Sequence, residues 1–122
     1  MKPANILIVE DETIVGMDLK LKLQSRGYNV LETASTGQEA IEISNKYNPD
    51  LILMDIILDG NIDGIEAASQ ISTRQQIPII YITGNSDFVI DERLLATQPV
   101  EVLIKPVHDL QLFEIIKQAL PN

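Results

Sequence analysis

Four short apolar runs in this 122-residue chain end in side chains that can do chemistry. Residues 5–9 (Asn-Ile-Leu-Ile-Val) run into Glu10, Asp11 and Glu12. Leu51-Ile52-Leu53-Met54 stops at Asp55, Ile79-Ile80-Tyr81-Ile82 stops at Thr83-Gly84, and residues 100–104 stop at Lys105-Pro106. Asp11 and Asp55 are hard oxygen ligands, and Glu10 adds a third negative charge. Three carboxylates in one crevice repel, which raises at least one pKa unless a cation joins them. Mg²⁺ suits such a site, because it prefers oxygen and takes only one or two protein carboxylates beside water and phosphate. Lys105 brings a compact positive charge suited to a phosphoryl oxygen. Thr83 brings a hydroxyl donor, and Gly84 leaves room for a ligand near the backbone. A carboxylate nucleophile, a divalent metal, a lysine and a hydroxyl are the parts for phosphoryl transfer to aspartate. Singly, each has a plainer use: Asp11 as a helix cap, Asp55 in a turn, Thr83 as an N-cap, Lys105 as a surface cation. Their joint placement at strand ends is what points to chemistry.

The side chains meet only if the runs are strands of one sheet. Residues 51–55 follow the Pro49-Asp50 turn signal and read as a strand buried on both faces. Residues 13–26 carry a helical pattern, with Val15, Leu19 and Leu23 on one stripe, Met17 and Leu21 beside it, and Gly27 as the stop. A weaker strand spans 29–33. Ser35 or Thr36 caps a second helix reaching 47, with Ala40 and Ile43 on its apolar side. Residues 56–63 read as a loop, 64–74 as a third helix, 78–82 as the fourth strand, 87–96 as a fourth helix, 100–104 as the fifth strand and 108–120 as the last helix. The order is βα five times over, with no linker and no repeat. Alternation of this kind gives a parallel sheet with helices on both faces, and ligands bind at the carboxyl ends of its strands.

Composition limits the classes of function. The chain is 45% apolar, enough for a core, and has no cysteine for disulfides or thiolate metal sites. Nine basic residues against eighteen acidic ones leave a net charge of −9, which opposes binding of a nucleic-acid backbone by this chain. No apolar run approaches the ~20 residues of a membrane span, and no N-terminal stretch has a signal-peptide pattern. The expectation is a cytoplasmic protein with no membrane contact.

Taken with their spacing, Glu10-Asp11, Asp55, Thr83-Gly84 and Lys105-Pro106 make the chain resemble the receiver domain of two-component response regulators, over essentially its whole length. The resemblance implies a single doubly wound (βα)5 α/β domain over residues 1–122, flavodoxin-like, with five parallel strands in the order 2-1-3-4-5. It implies a signalling domain and not an enzyme, although one that assists its own Mg²⁺-dependent phosphoryl transfer and autodephosphorylation. Asp55 would accept a phosphoryl group from a phosphohistidine on a sensor histidine kinase or phosphotransfer protein. Asp11, Asp55 and the backbone carbonyl of Ile57 would hold Mg²⁺, with Glu10 helping through water. Thr83 and Lys105 would contact the phosphoryl oxygens, and the Lys105-Pro106 bond would be cis. Two departures stand out. The loop 56–62 is one residue longer than the commonest version and lacks its proline; its Asp-x-x-Leu-x-Gly form resembles receivers that stand alone or beside sensor kinases. Val102 also stands where many members have an aromatic switch residue, so output cannot run through a turning ring.

Other readings are weaker. Asp59-Gly60-Asn61-Ile62-Asp63-Gly64 matches the first half of a calcium-binding loop, but position 12, where glutamate belongs, is Gln70. A flavin or nucleotide site needs a phosphate-cradling loop after the first strand, where this chain has three acids. An aspartate-based phosphatase would want a second acid at Ile57. A pseudo-receiver, binding partners without phosphorylation, is the alternative within the family, opposed by the complete acidic, hydroxyl and lysine set. His108, the only histidine, reads as a helix-start surface residue. In the last helix Leu110, Phe113, Ile116 and Leu120 form a stripe that Leu112, Ile115 and Ala119 widen past half the circumference. That width suggests a docking face, or a homodimer through the fourth helix, fifth strand and last helix.

Overall fold

The computed structural model describes residues 2–120. Five parallel strands, β1 (Asn5–Val9), β2 (Asn29–Val30), β3 (Leu51–Asp55), β4 (Ile79–Thr83) and β5 (Glu101–Ile104), form one sheet in the order β2-β1-β3-β4-β5. The helices are α1 (Thr13–Ser25), α2 (Gly37–Tyr47), α3 (Gly64–Ser72), α4 (Glu92–Ala96) and α5 (Asp109–Ala119). This is the expected flavodoxin-like arrangement. Because successive strand residues point to opposite faces, each strand feeds two cores. Leu7, Val9, Ile52, Met54, Ile79 and Tyr81 pack on the side of α2, α3 and α4. Ile6, Ile8, Leu51, Leu53, Ile80, Ile82 and Leu103 pack on the side of α1 and α5.

Helix boundaries follow local capping chemistry. The Thr36 hydroxyl accepts the Glu39 N–H at 3.1 Å and starts α2, and Asp63 accepts the Glu66 N–H at 2.8 Å and starts α3. Asn48, at φ 49°, closes α2 in the left-handed region, and Gly27, at φ 87°, follows α1. Asp63 also binds Arg93 at 2.9 Å, so the aspartate that a calcium loop would need is engaged in a cap and an ion pair.

Three sequence expectations are corrected. The helix expected over 87–96 is two pieces, a 3-10 segment Ser86–Ile90 and then α4. Asn85 and Asp91 each accept backbone N–H groups ahead of them, so each starts a new turn and the chain straightens between. The second strand pairs only over Asn29–Val30, with a separate bridge from Val9 to Ala34. The broad apolar arc of α5 is not a free face. Leu112, Phe113 and Ile116 are buried, Ile115, Ala119 and Leu120 are half-buried, and Leu110 alone is left at 73% exposure. The reason is that α5 is covered twice, by the sheet and by α1, whose Arg26 lies 4.1 Å over the Phe113 ring. On α1 the reverse holds. Leu23 is buried with Leu19 against it, but Met17 and Leu21 face solvent at 58% and 65% exposure, in one outward stripe with Ile14.

Candidate functional site

The carboxyl ends of β1, β3, β4 and β5 bring the expected side chains together. Glu10 follows β1, its N–H held by the Ala34 carbonyl at 2.8 Å, and its carboxylate accepts the Glu12 N–H at 3.1 Å. Asp55 ends the central strand and is 93% buried, since its exposure is 7%. Behind it the chain turns so tightly that the Gly64 N–H bonds the Ile56 carbonyl at 2.7 Å. A Cβ on Gly64 would lie 2.0 Å from the Asp55 carbonyl oxygen, so only glycine lets α3 start this close to the strand end. Thr83 is fully buried, and its hydroxyl oxygen accepts the Asn85 N–H at 3.1 Å, which leaves the hydroxyl proton for another partner. The Lys105 N–H bonds the Thr83 carbonyl at 2.8 Å, and the Lys105-Pro106 bond is cis, as expected.

Lys105 Nζ lies 3.0 Å from Asp55 Oδ2 and 3.3 Å from Glu10 Oε1. Carboxylate oxygens of Glu10, Asp11 and Asp55 all fall within 4.8 Å of one another. Burial, with the Asp55 charge added, pushes the Glu10 carboxyl up to about 7, against the Glu12 N–H and Lys105, which favour the ionised form. For Lys105, burial works to lower the pKa. The bond to Asp55 and the charges of Asp55 and Glu10 together outweigh it and hold the ammonium above its ordinary value. One ammonium thus serves two nearly buried carboxylates, with a third beside them, and the crevice carries an excess of negative charge. Hard oxygen donors in that number, one already pushed toward neutrality, fit a small divalent cation such as Mg²⁺.

Of the expected site residues, Glu10, Asp11 and Asp55 are in mutual reach, Lys105 reaches Glu10 and Asp55, and Thr83 stands on the next strand, with Ile82 in register with Asp55. The Ile57 side chain is turned to solvent. Gly84 has open space around it, and His108 precedes α5 without capping it through its side chain. Two features were missed. Gly64 reads in the sequence only as the start of the third helix, since a clash with backbone leaves no trace in a single sequence. The hydroxyl of Tyr81 meets Thr97 Oγ1 at 2.7 Å, a pairing whose only sequence signal is a tyrosine in an otherwise aliphatic strand.

The family model for the response regulator receiver domain matches residues 6–117. The chain is 36% identical to the transcriptional regulatory protein PdtaR of Mycobacterium tuberculosis, over 96% of this chain and 57% of that protein. It is 35% identical to the phyllosphere-induced regulator PhyR of Methylorubrum extorquens, over 94% of this chain and 43% of that one. It therefore spans about half the length of these curated relatives. Among solved structures, the response regulator protein TrrA of Thermotoga maritima, crystallised in complex with Mg²⁺-BeF, superposes with a TM-score of 0.88 at 33% identity, covering 96% of this chain and 99% of that one. The signal receiver domain of a modulated diguanylate cyclase from Desulfovibrio desulfuricans gives 0.88 at 35% identity, covering 96% and 93%. No helix among the described residues is long and apolar enough to cross a membrane. By sequence, strand order and the residues gathered at its strand ends, the chain belongs to the response regulator receiver domain family, a signalling domain of two-component systems.

Proposed function

We propose that this domain is switched by phosphorylation of Asp55, with the phosphoryl group drawn from a phosphohistidine on a sensor kinase or phosphotransfer protein. The observation that carries the reading is the Asp55 carboxylate, nearly buried at the end of the central strand, 3.0 Å from Lys105 Nζ and beside Asp11 and Glu10. An Asp55 oxygen attacks phosphorus, the phosphorus–nitrogen bond breaks, and its electron pair returns to the imidazole. Lys105 trades part of its contact with Asp55 for a phosphoryl oxygen, and the free Thr83 proton bonds a second one. Asp11, Asp55 and the Ile57 carbonyl would hold Mg²⁺, with Glu10 acting through water; TrrA, the relative crystallised with Mg²⁺-BeF, supports that choice. Bound Mg²⁺ would supply charge neutralisation between the carboxylates and the incoming phosphoryl oxygens. The outward stripe Ile14, Met17 and Leu21 on α1, with exposed Ile57, offers an apolar rim by the crevice for a helical phosphodonor. On the opposite side, exposed Ile90, Leu95 and Ile104 replace α5 as the apolar residues of a surface that passes the signal to a partner or a second copy.

Intact mass after acetyl phosphate and Mg²⁺ tests the proposal. The wild type should gain one labile phosphoryl group, and Asp55→Asn should gain none. A labile gain of the same mass on Asp55→Asn would sink the assignment, and no gain on the wild type would favour a pseudo-receiver.

A further inference from the structure

The side of the sheet that faces α4 contains a hydrogen-bonded chain whose direction the structure determines. Tyr81 is fully buried, and its hydroxyl oxygen lies 2.7 Å from Thr97 Oγ1. The Thr97 hydroxyl donates its one hydrogen to the Leu94 carbonyl at 2.6 Å. Tyr81 must therefore be the donor to Thr97. Burial pushes the Tyr81 hydroxyl up to about 12, so it keeps its proton at any physiological pH. The bond ties the middle of β4 to the residue that ends α4, a helix of only five residues, Glu92–Ala96. Across to α3, α4 also has the exposed pair Arg93–Asp63 at 2.9 Å, of the kind worth little in water.

Tyr81 stands two residues before Thr83, so both side chains leave β4 on the same face. Its partner in register on β5 is Val102. Valine carries no ring, and among the described residues the one fully buried aromatic between β4 and α4 is Tyr81. We propose that Tyr81, through its bond to Thr97, is the positioning residue that couples Thr83 to α4, so that a shift of Thr83 toward a phosphoryl group on Asp55 releases α4 and its exposed Leu95. This rests on the Asp55 reading above. The coupling is mechanical. Tyr81 and Thr83 share one face of one strand, so a displacement of β4 at Thr83 carries Tyr81 with it, and a 2.7 Å hydroxyl bond weakens steeply when its geometry opens. A five-residue helix held by one buried side chain, Leu94, and one buried hydroxyl bond is then the element with two discrete arrangements.

The test is amide hydrogen exchange at Leu95, Thr97 and Gln98, whose N–H groups bond the Asp91, Leu94 and Leu95 carbonyls, with intact mass read on the same samples. Wild type, Tyr81→Phe, Thr97→Val and Thr97→Ser are compared before and after acetyl phosphate with Mg²⁺. Phosphorylation of the wild type should speed exchange there by about fivefold, the equilibrium worth of one ordinary buried hydrogen bond. Tyr81→Phe and Thr97→Val should exchange at that faster rate already, with phosphorylation adding less than about twofold, while Thr97→Ser keeps the wild-type response. Tyr81→Phe retains the ring, so packing alone cannot account for the change. A phosphorylated Tyr81→Phe with a wild-type response, or a phosphorylated wild type with no response in α4, overturns the coupling alone. A wild type that gains no mass overturns the Asp55 reading and the coupling with it.

Discussion

The two faces of the sheet are built by different means. On the α1–α5 side the helices are eleven residues or longer, and α5 buries Leu112, Phe113 and Ile116 against strands and α1 together. Lys22 bridges Asp18 at 2.7 Å and Asp109 at 3.1 Å across the two helices, and Arg26 covers Phe113. On the other side, α2 and α3 pack with small residues, Ala40, Ala67 and Ala68, while the chain from 85 to 98 is a 3-10 segment, a cap and a five-residue helix. Only Leu94 of α4 is fully buried. Apolar burial makes the first side stiff, because many close contacts must be lost together before anything moves. The second side depends at α4 on a few directional bonds, each of which has an alternative geometry. The proposed switch uses both kinds of construction, rigid at the phosphoryl site and movable at the surface that reports it.

Matched substitutions sharpen that contrast. The largest effect is expected for Leu112→Glu, which puts a carboxylate into a site with 2% exposure. A loss of about 4 kcal/mol or more should appear in urea unfolding, enough to cost the fold at moderate temperature. Leu95→Glu, on exposed α4, should stay within about 0.5 kcal/mol of wild type while removing any association through that surface, read by light scattering of the phosphorylated protein. Equal losses for the two would break the contrast. Next is Gly64→Ala, where backbone and not a flexible side chain blocks the added methyl. A cost of about 2–3 kcal/mol is expected, together with slower phosphorylation, since Asp55 is the residue displaced. An alanine variant of wild-type stability would show that α3 can draw back from the strand end without loss.

A pH-dependent effect is expected in the crevice, at Glu10. Its carboxyl is raised from 4.5 to about 7 in the folded chain, so the folded state holds a proton that the unfolded state has released. By linkage, its favourable contribution is full below about pH 4.5 and is lost as pH rises through about 7. In EDTA, the wild type should lose more stability between pH 5 and pH 8 than Glu10→Gln does. Added Mg²⁺ should reverse the loss at pH 8, because metal replaces the proton between the carboxylates. Identical pH profiles for the two proteins would place the strain elsewhere in the crevice.

Asp11, Asp55, Thr83 and Lys105 were legible before any fold was known, because each interrupts an apolar run just where a strand leaves the core. Periodicity also placed β1, β3, β4, β5 and the helices α1, α2, α3 and α5 to within a residue or two. It failed where one residue does two jobs. Asp91 looks like an ordinary polar position inside a helix, and becomes a break because its carboxylate caps the turn ahead of it. The outward stripe on α1 and the buried arc on α5 have the same apolar composition, and nothing local separates them.

The sequence by itself determined the alternation of strands and helices, the identity of the four strand-end groups and the chemistry open to them. These depend on spacing along the chain and on side-chain type, both of which are local. Only the tertiary structure decided which helix faces are covered, that one ammonium is shared between Asp55 and Glu10, that Gly64 must lack a side chain, and that Tyr81 reaches Thr97. Each of those is a distance between residues far apart in sequence, and such distances exist only once the sheet has closed around its two cores.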